Sequence, residues 1–168
     1  LNQAGALLHI YTDGSVHINH GGTEMGQGLY TKIAQVVAST LGVSYERVMV
    51  SSTRTDKVPN TSPTAASAGT DLNGMAAQNA AEKIKRRLIE FVASDSGARS
   101  NEVLIENDMV MVRGESRSFD NVIKAAYMNR VQLSATGFYK TPKIHFDKET
   151  GKGHPFFYFA NGVALSEV

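Results

Sequence analysis

Two short stretches of this 168-residue chain carry residue types whose spacing suggests chemistry. The first is His20-Gly21-Gly22-Thr23-Glu24-Met25-Gly26-Gln27-Gly28, with four glycines in nine residues. Glycine removes the side chain where a backbone must turn sharply or come close to a ligand. The stretch separates a strand-like run from a helix-like run. A strand, a glycine-rich turn and a helix start form an anion site, because the first N–H groups of a helix have no partners within it. Glu24 offers a carboxylate there, either as a general base or as a fixed acceptor for backbone N–H groups. Gln27 offers both a donor and an acceptor, which suits the edge of a heterocycle or merely an exposed first turn. The second stretch, residues 53–69, is small, polar and punctuated by Pro59 and Pro63. Loops longer than about 12–15 residues are uncommon and often functional. This one ends in Thr64-Ala65-Ala66-Ser67-Ala68-Gly69, again at a helix start.

Several familiar chemistries do not fit. Gly21 and Gly26 have the spacing of a nucleotide phosphate loop, but Gln27-Gly28 stands where Lys and then Ser or Thr are required. Gly26 and Gly28 begin a dinucleotide fingerprint, but Thr31 occupies the third glycine position. No Gly-x-Ser-x-Gly elbow occurs. Cysteine is absent, which removes thiol nucleophiles, disulfides and cysteine-ligated clusters from this chain. His9, His17 and His20 lack acidic or cysteine partners at ligand spacing and read as partly exposed strand histidines. Glycines that simply let a helix pack close to a strand remain an alternative to an anion site.

Composition bounds the rest. Hydrophobic residues are 42% and charged residues 20%, with 17 basic against 16 acidic side chains and a net charge of +1. One globular domain with a real core is expected. The balance gives no electrostatic case for nucleic acid or a membrane surface, and no apolar run is long enough to span a bilayer. A cytoplasmic location is expected. The chain begins at Leu1 rather than Met and ends within a strand-like run, so it reads as a piece of something longer.

The elements that must position the two stretches follow from periodicity. Ala4 to Tyr11 and Ser15 to Asn19 read as a hairpin through Asp13-Gly14, with a two-residue turn pairing Tyr11 with Val16. Residues 28–41 read as an amphipathic helix starting near Gly26, with Leu29, Ile33, Val36, Val37 and Leu41 on one face and Gly42 as its stop. Its unpaired N–H groups are expected over residues 25–29. Residues 47–52 read as a strand. A second helix follows residues 64–69, with Thr64 or Ser67 as N-cap and Leu72, Met75, Ala76, Ala80, Ile84, Leu88, Phe91 and Val92 inward. Lys83, Lys85, Arg86 and Arg87 read as its solvated face. A hairpin through Asn107-Asp108, a helix capped by Ser118 with Tyr127 on its inner side, a strand over 131–141, a polar connection over 144–154 and a strand over 156–168 complete the chain. The fold class is α+β: a mixed, largely antiparallel sheet with helices packed on it.

Taken together, the motifs resemble one family. Residues 20–28 followed by Leu29-Tyr30-Thr31-Lys32 are similar to the molybdenum-cofactor domain of xanthine dehydrogenases, in the molybdenum hydroxylase family. Leu1-Asn2-Gln3-Ala4-Gly5-Ala6, Tyr11-Thr12-Asp13-Gly14-Ser15-Val16, residues 58–67 with Asp71-Leu72-Asn73-Gly74, and Leu133-Ser134-Ala135-Thr136-Gly137-Phe138-Tyr139 agree in order. Residues 94–117 are the least familiar part. Thr61-Ser62-Pro63-Thr64-Ala65-Ala66-Ser67 resembles the xanthine enzymes more than the aldehyde oxidases.

The resemblance implies that residues 1–168 are part of a larger molybdopterin-binding domain. Met25, Gly26 and Gln27 would contact the pyranopterin and its phosphate. Thr64, Ala65, Ala66, Ser67, Ala68 and Gly69 would wrap the cofactor, with Ala66 beside molybdenum through its backbone. The cofactor form, monophosphate or cytosine dinucleotide, stays open. The parent would hydroxylate a purine, hypoxanthine or xanthine to urate, and pass electrons through iron–sulfur clusters and FAD to NAD. The family's catalytic glutamate lies C-terminal to Val168 and its substrate-binding arginine N-terminal to Leu1. No catalytic residue is therefore expected here, and the 168 residues alone should be inactive. Expected partners are the rest of that polypeptide, in a homo-oligomer or heteromeric assembly. Alternatives are an aldehyde oxidase or another molybdenum hydroxylase, a nucleotide-binding module, and a purely structural domain.

Overall fold

The structure is a computed structural model that describes residues 2–58, 60–157 and 162–168. β1 (Gln3–Ile10) and β2 (Val16–His20) form an antiparallel pair. α1 (Leu29–Leu41) crosses over to β3 (Val48–Val50), which pairs with β2 in parallel. α2 (Gly69–Ser96) follows, then the meander β4 (Val103–Glu106), β5 (Met109–Val112) and β6 (Glu115–Ser118). α3 (Phe119–Met128) leads to β7 (Ser134–Lys140), and β8 (His145–Asp147) with β9 (Lys152–His154) makes a small hairpin. The main sheet has the order β3-β2-β1-β7. The α+β expectation holds, with the β2–α1–β3 crossover as its parallel component.

One face of the main sheet makes the core. Ala4, Ala6, Leu8 and Ile10 of β1 alternate with outward residues, and Val16 and Ile18 of β2 join them. The expected two-residue hairpin turn is corrected by one position: Ile10, not Tyr11, lies opposite Val16. A one-residue slip in register would turn every apolar β2 side chain away from the core. The loop therefore takes three residues. Gly14 sits at φ +83 and its N–H donates to the Tyr11 carbonyl at 2.9 Å, the geometry of a turn closed by a left-handed glycine.

α1 starts at Leu29, later than Gly26, and ends at Gly42 as expected. Leu29, Ile33, Val37 and Leu41 are fully buried, each contributing about 1.5–3 kcal/mol. α2 lies across the sheet on a stripe of small residues, Ala76, Ala77, Ala80 and Ala81. Beneath it is Gly137 of β7. A methyl group there would sit 1.9 Å from the Ala76 carbonyl oxygen and 2.7 Å from the Ala80 nitrogen. Two residues expected to face inward do not: Met75 on α2 and Tyr127 on α3 are exposed.

The basic cluster on α2 is also more than a solvated face. Lys83 Nζ donates to the Thr136 carbonyl at 2.8 Å, and Arg87 Nη1 to the Ser134 and Gln132 carbonyls at 2.8 and 3.2 Å. Asn79 Oδ1 accepts the Phe138 N–H at 3.4 Å. Asn79, Lys83 and Arg87 recur every four residues, so they form one stripe. The Leu133 carbonyl accepts the Ile10 N–H of β1 at 2.9 Å, which leaves the even-numbered groups of β7 on the outer edge. The helix thus blunts an edge strand that would otherwise present unpaired backbone.

The meander packs beside the main sheet. Its Asn107-Asp108 turn has φ +51 and +61, as a two-residue hairpin requires. Arg47 ties it to the sheet, donating to Asp108 at 2.6 Å and Asp120 at 2.5 Å with its guanidinium over the Phe119 ring. Ser118 caps α3 by accepting the Asn121 N–H. The connection over 144–154 carries a hairpin that its polar sequence did not announce. The expected strand over 156–168 does not form at 156–157 or 162–168, where Phe156, Val163 and Leu165 are exposed; residues 158–161 lie outside the described residues. A β-prone run becomes a strand only against a partner. Among the described residues, no helix is long and apolar enough to cross a membrane.

His20, the last residue of β2, is buried at 2% exposure rather than partly exposed, and burial pushes its pKa down to about 4. Between pH 6.5 and about 4 the unfolded chain takes a proton that the folded one refuses. Stability is therefore full above that window and falls as pH drops through it, by about 3 kcal/mol in all. Denaturation midpoints of wild type and His20→Gln measured across this range should show the slope shrinking in the variant. Gly137→Ala should lower stability by about 1–3 kcal/mol through overpacking. An unchanged denaturation midpoint would mean that α2 does not lie this close to β7.

Candidate functional site

The turn after β2 is built by four glycines with two different jobs. At Gly21 a Cβ would lie 2.3 Å from Thr61 Oγ1, and at Gly22 it would lie 2.6 Å from Asn73 Nδ2 and from Leu29 Cδ2. These two allow close packing. Gly26 and Gly28 instead take φ +102 and +73, which side chains resist. Nothing lies within 4 Å of a Cβ built at Gly26. The packing reading thus holds for one pair of glycines and the backbone reading for the other.

His20 anchors the start of the turn. Its Nδ1 accepts the Gly22 N–H at 3.1 Å, which places the imidazole proton on Nε2. Its ring meets Tyr30 edge-on at 5.2 Å. The Tyr30 hydroxyl donates to Thr53 Oγ1 at 3.1 Å, and Thr53 Oγ1 donates to the Gly22 carbonyl.

Glu24 closes the turn onto α1. Its Oε1 accepts the Gly26 and Gly28 N–H groups at 2.9 and 3.0 Å, and its Oε2 accepts the Tyr30 N–H at 3.0 Å. The Tyr30 bond foremost, with those of Gly26, Gly28 and Leu29, holds the carboxyl below its usual range against the opposing effect of burial. Gln27 adds a second brace: Oε1 accepts the Met25 N–H at 2.6 Å and Nε2 donates to the Thr23 carbonyl at 2.9 Å. The expectation of open N–H groups over residues 25–29 is therefore corrected. Those of Met25, Gly26 and Gly28 are taken by the protein's own side chains. Glu24 has the fixed backbone-accepting role, one of the two read from sequence.

The second loop is stitched to the first. Thr64 Oγ1 accepts the Thr23 N–H at 2.8 Å. Ser62 exchanges bonds with Gln3 through its Oγ and its N–H, at 3.1 and 2.9 Å, and Thr61 Oγ1 accepts the Gly5 N–H at 3.4 Å. Ala66 and Ser67 then take φ +47 and +44 in succession, a left-handed conformation costing roughly 1–2 kcal/mol per residue outside glycine. The N-cap of α2 is Ala68, with no side-chain cap bond, rather than Thr64 or Ser67. The first-turn N–H groups of α2 thus have no partner inside the helix. Asp71 lies in that turn, and burial raises its carboxyl pKa.

Between the two loops is a cavity of about 390 Å³. Met25 and Gln27 line one side, and Thr64, Ala65, Ala66, Ser67 and Gly69 the other. Seven of the nine residues singled out in the sequence thus share one cavity. Gly26 is in the adjoining turn but not on the lining, and Ala68 faces a second cavity of about 620 Å³ across the strap, with Asn2, Thr141 and Phe156. Ala65, Ala66 and Ser67 border both. Lys32 and Thr70, which the sequence did not single out, also line the smaller cavity, as does Leu29, expected only on the core face of α1. Lys32 stands one helical turn after Gly28, and that spacing was the signal that could have found it. Among the described residues, no group of three or more His, Asp or Glu side chains could hold a metal ion. Whatever this cavity binds is met by backbone, amide, hydroxyl and ammonium groups beside the apolar side chains of Met25 and Leu29.

The molybdopterin cofactor-binding domain model matches residues 1–168. The chain is 49% identical over its full length to the xanthine dehydrogenase/oxidase of Gallus gallus, and 48% to the xanthine dehydrogenase of Oryza sativa subsp. japonica. It spans 11% of the length of each. Among solved structures, quinoline 2-oxidoreductase from Pseudomonas putida 86 superposes with a TM-score of 0.74 at 25% identity, over 82% of this chain and 19% of that one. Carbon monoxide dehydrogenase from Oligotropha carboxidovorans gives 0.75 at 26%, over 84% and 18%. The chain therefore belongs to the molybdopterin cofactor-binding domain family.

Proposed function

We propose that this chain is the part of a xanthine dehydrogenase that grips the molybdenum cofactor from two sides, in a parent enzyme that oxidises hypoxanthine and xanthine to urate. The observation that carries the reading is one cavity lined by Met25 and Gln27 from the first loop and by Thr64, Ala65, Ala66, Ser67 and Gly69 from the second. The donor set fits a pterin. Gln27 keeps a second Nε2 hydrogen beyond its bond to the Thr23 carbonyl, Thr70 brings a hydroxyl to the lining, and the alanines leave backbone groups accessible. The α1 start already holds the Glu24 carboxylate, so a phosphate there would meet a like charge. Lys32, which lines the cavity, instead supplies the positive charge for the cofactor's anionic end.

When bound, the cofactor supplies two-electron oxidation of an electron-poor purine carbon. This chain's residues would orient it: Met25 and Gln27 would hold one edge, and the Ala66–Ser67 strap would keep bulk away from the metal, with Ala66 as the metal-adjacent residue. The proton-accepting glutamate, the iron–sulfur clusters, the FAD and the NAD site belong to the remainder of a cytoplasmic enzyme, working as an oligomer. The remainder of that polypeptide is the partner of this chain.

Ala66→Leu tests the reading, because Ala66 is exposed and its extra bulk enters the cavity, not the core. In the full-length protein from a cofactor-producing host, molybdenum and pterin content and xanthine oxidation should fall together. The melting temperature should hold. A variant that keeps its cofactor, or a wild-type parent that contains none, would overturn the proposal.

A further inference from the structure

We infer that Glu24 is a positioning residue that holds residues 25–27 in the shape the cofactor requires, and is not a proton-transfer base. This rests on the cofactor reading above. Both carboxylate oxygens are committed, to three backbone N–H groups at 2.9–3.0 Å. Hydrogen bonds to a charged acceptor are roughly twice as strong as neutral ones. Glu24 is also not on the lining of the cavity between the loops. A general base must reach the proton it removes, and this carboxylate reaches inward to the turn instead.

The turn needs such a brace. Gly26 and Gly28 both have positive φ, and a Cβ at Gly26 would meet nothing within 4 Å. Glycine gains the most freedom on unfolding, so two of them flanking Gln27 would let the turn sample many shapes. Glu24 counters this by joining Gly26, Gly28 and Tyr30, on both sides of Gln27, to one group. The Tyr30 link carries the constraint into α1, whose buried face is anchored in the core. Gln27 complements it from the other side through Met25 and Thr23. The turn is thus fixed to the helix and to itself, and its cavity-facing atoms inherit that fixity.

The test uses the full-length protein made in a cofactor-producing host. Removing an outer-shell partner of a metal site typically costs about 10–100-fold in affinity, and Glu24→Ala should weaken cofactor retention on that scale. Its melting temperature should stay near wild type. Glu24→Gln should rescue part of the loss, because its amide oxygen still accepts from Gly26 and Gly28. In the wild-type protein, the Gly26, Gly28 and Tyr30 amides should exchange with deuterium at least about tenfold more slowly than open loop amides. This last measurement stands even if a variant fails to fold. Full cofactor content in Glu24→Ala, or fast exchange of those three amides, would overturn the inference while leaving cofactor binding intact. A wild-type protein without molybdenum would instead sink the cofactor reading, and the amide exchange would remain to be read.

Discussion

The close approach of α2 to the sheet governs the architecture around the cavity. Gly137 leaves no room for a methyl group under Ala76 and Ala80, so helix axis and strand lie nearly in backbone contact. Small residues on both surfaces make that possible, and the fully buried Ile84 and Leu88 continue the same interface. Once the axis of α2 is fixed, so is its start. Asn73, one turn in, presses against Gly22 and donates to the Gly69 carbonyl at 2.8 Å. The helix thereby delivers residues 64–69 to the glycine turn. The cavity is a consequence of packing set several turns away.

Charged side chains serve the backbone throughout this chain. Glu24 accepts N–H groups at the start of α1, while Lys83 and Arg87 donate to carbonyls on the open edge of β7. Lys85 Nζ donates to the Thr40 carbonyl near the end of α1 at 2.8 Å. A net charge of +1 says nothing of this arrangement. Each charge lies where a backbone dipole of opposite sign ends, and the covered groups would otherwise need water. The polar surface is in this sense part of the secondary structure.

Legibility in the sequence followed the strength of the physical signal. α1 was readable because four fully buried residues recur at helical spacing and Gly42 stops it. Its true start was not, because the competing acceptor for its N–H groups is a side chain, Glu24, whose role depends on three-dimensional closure. The hairpin was readable from Asp13-Gly14, but its register was not; burial of Val16 and Ile18 decides it. Met75 and Tyr127 depart from the expected inward faces because periodicity gives a face without saying how wide the neighbouring element is. The basic stripe on α2 read as solvent-facing because the edge it covers is about fifty residues away in sequence. The two loops of the site were found through their glycines, alanines and family resemblance. Lys32 carries no signal of its own, because a lone helix lysine is ordinary until a cavity is seen beside it.

The two strategies for exposing backbone at the site are different and complementary. At residues 25–28 the chain uses glycine, which accepts unusual φ freely but must then be restrained, and Glu24 with Gln27 supplies the restraint. At Ala66 and Ser67 it uses side-chain-bearing residues in the same left-handed region, where the conformation is costly but each alternative is narrower. Strain of this kind persists only where the surroundings over-determine it. Here Thr64 fixes one end through Thr23, and the rigid start of α2 fixes the other. Alanine at the centre keeps the strap thin enough to border two cavities at once. A glycine there would relieve strain but surrender that definition, and a larger side chain would fill the space the strap exists to shape.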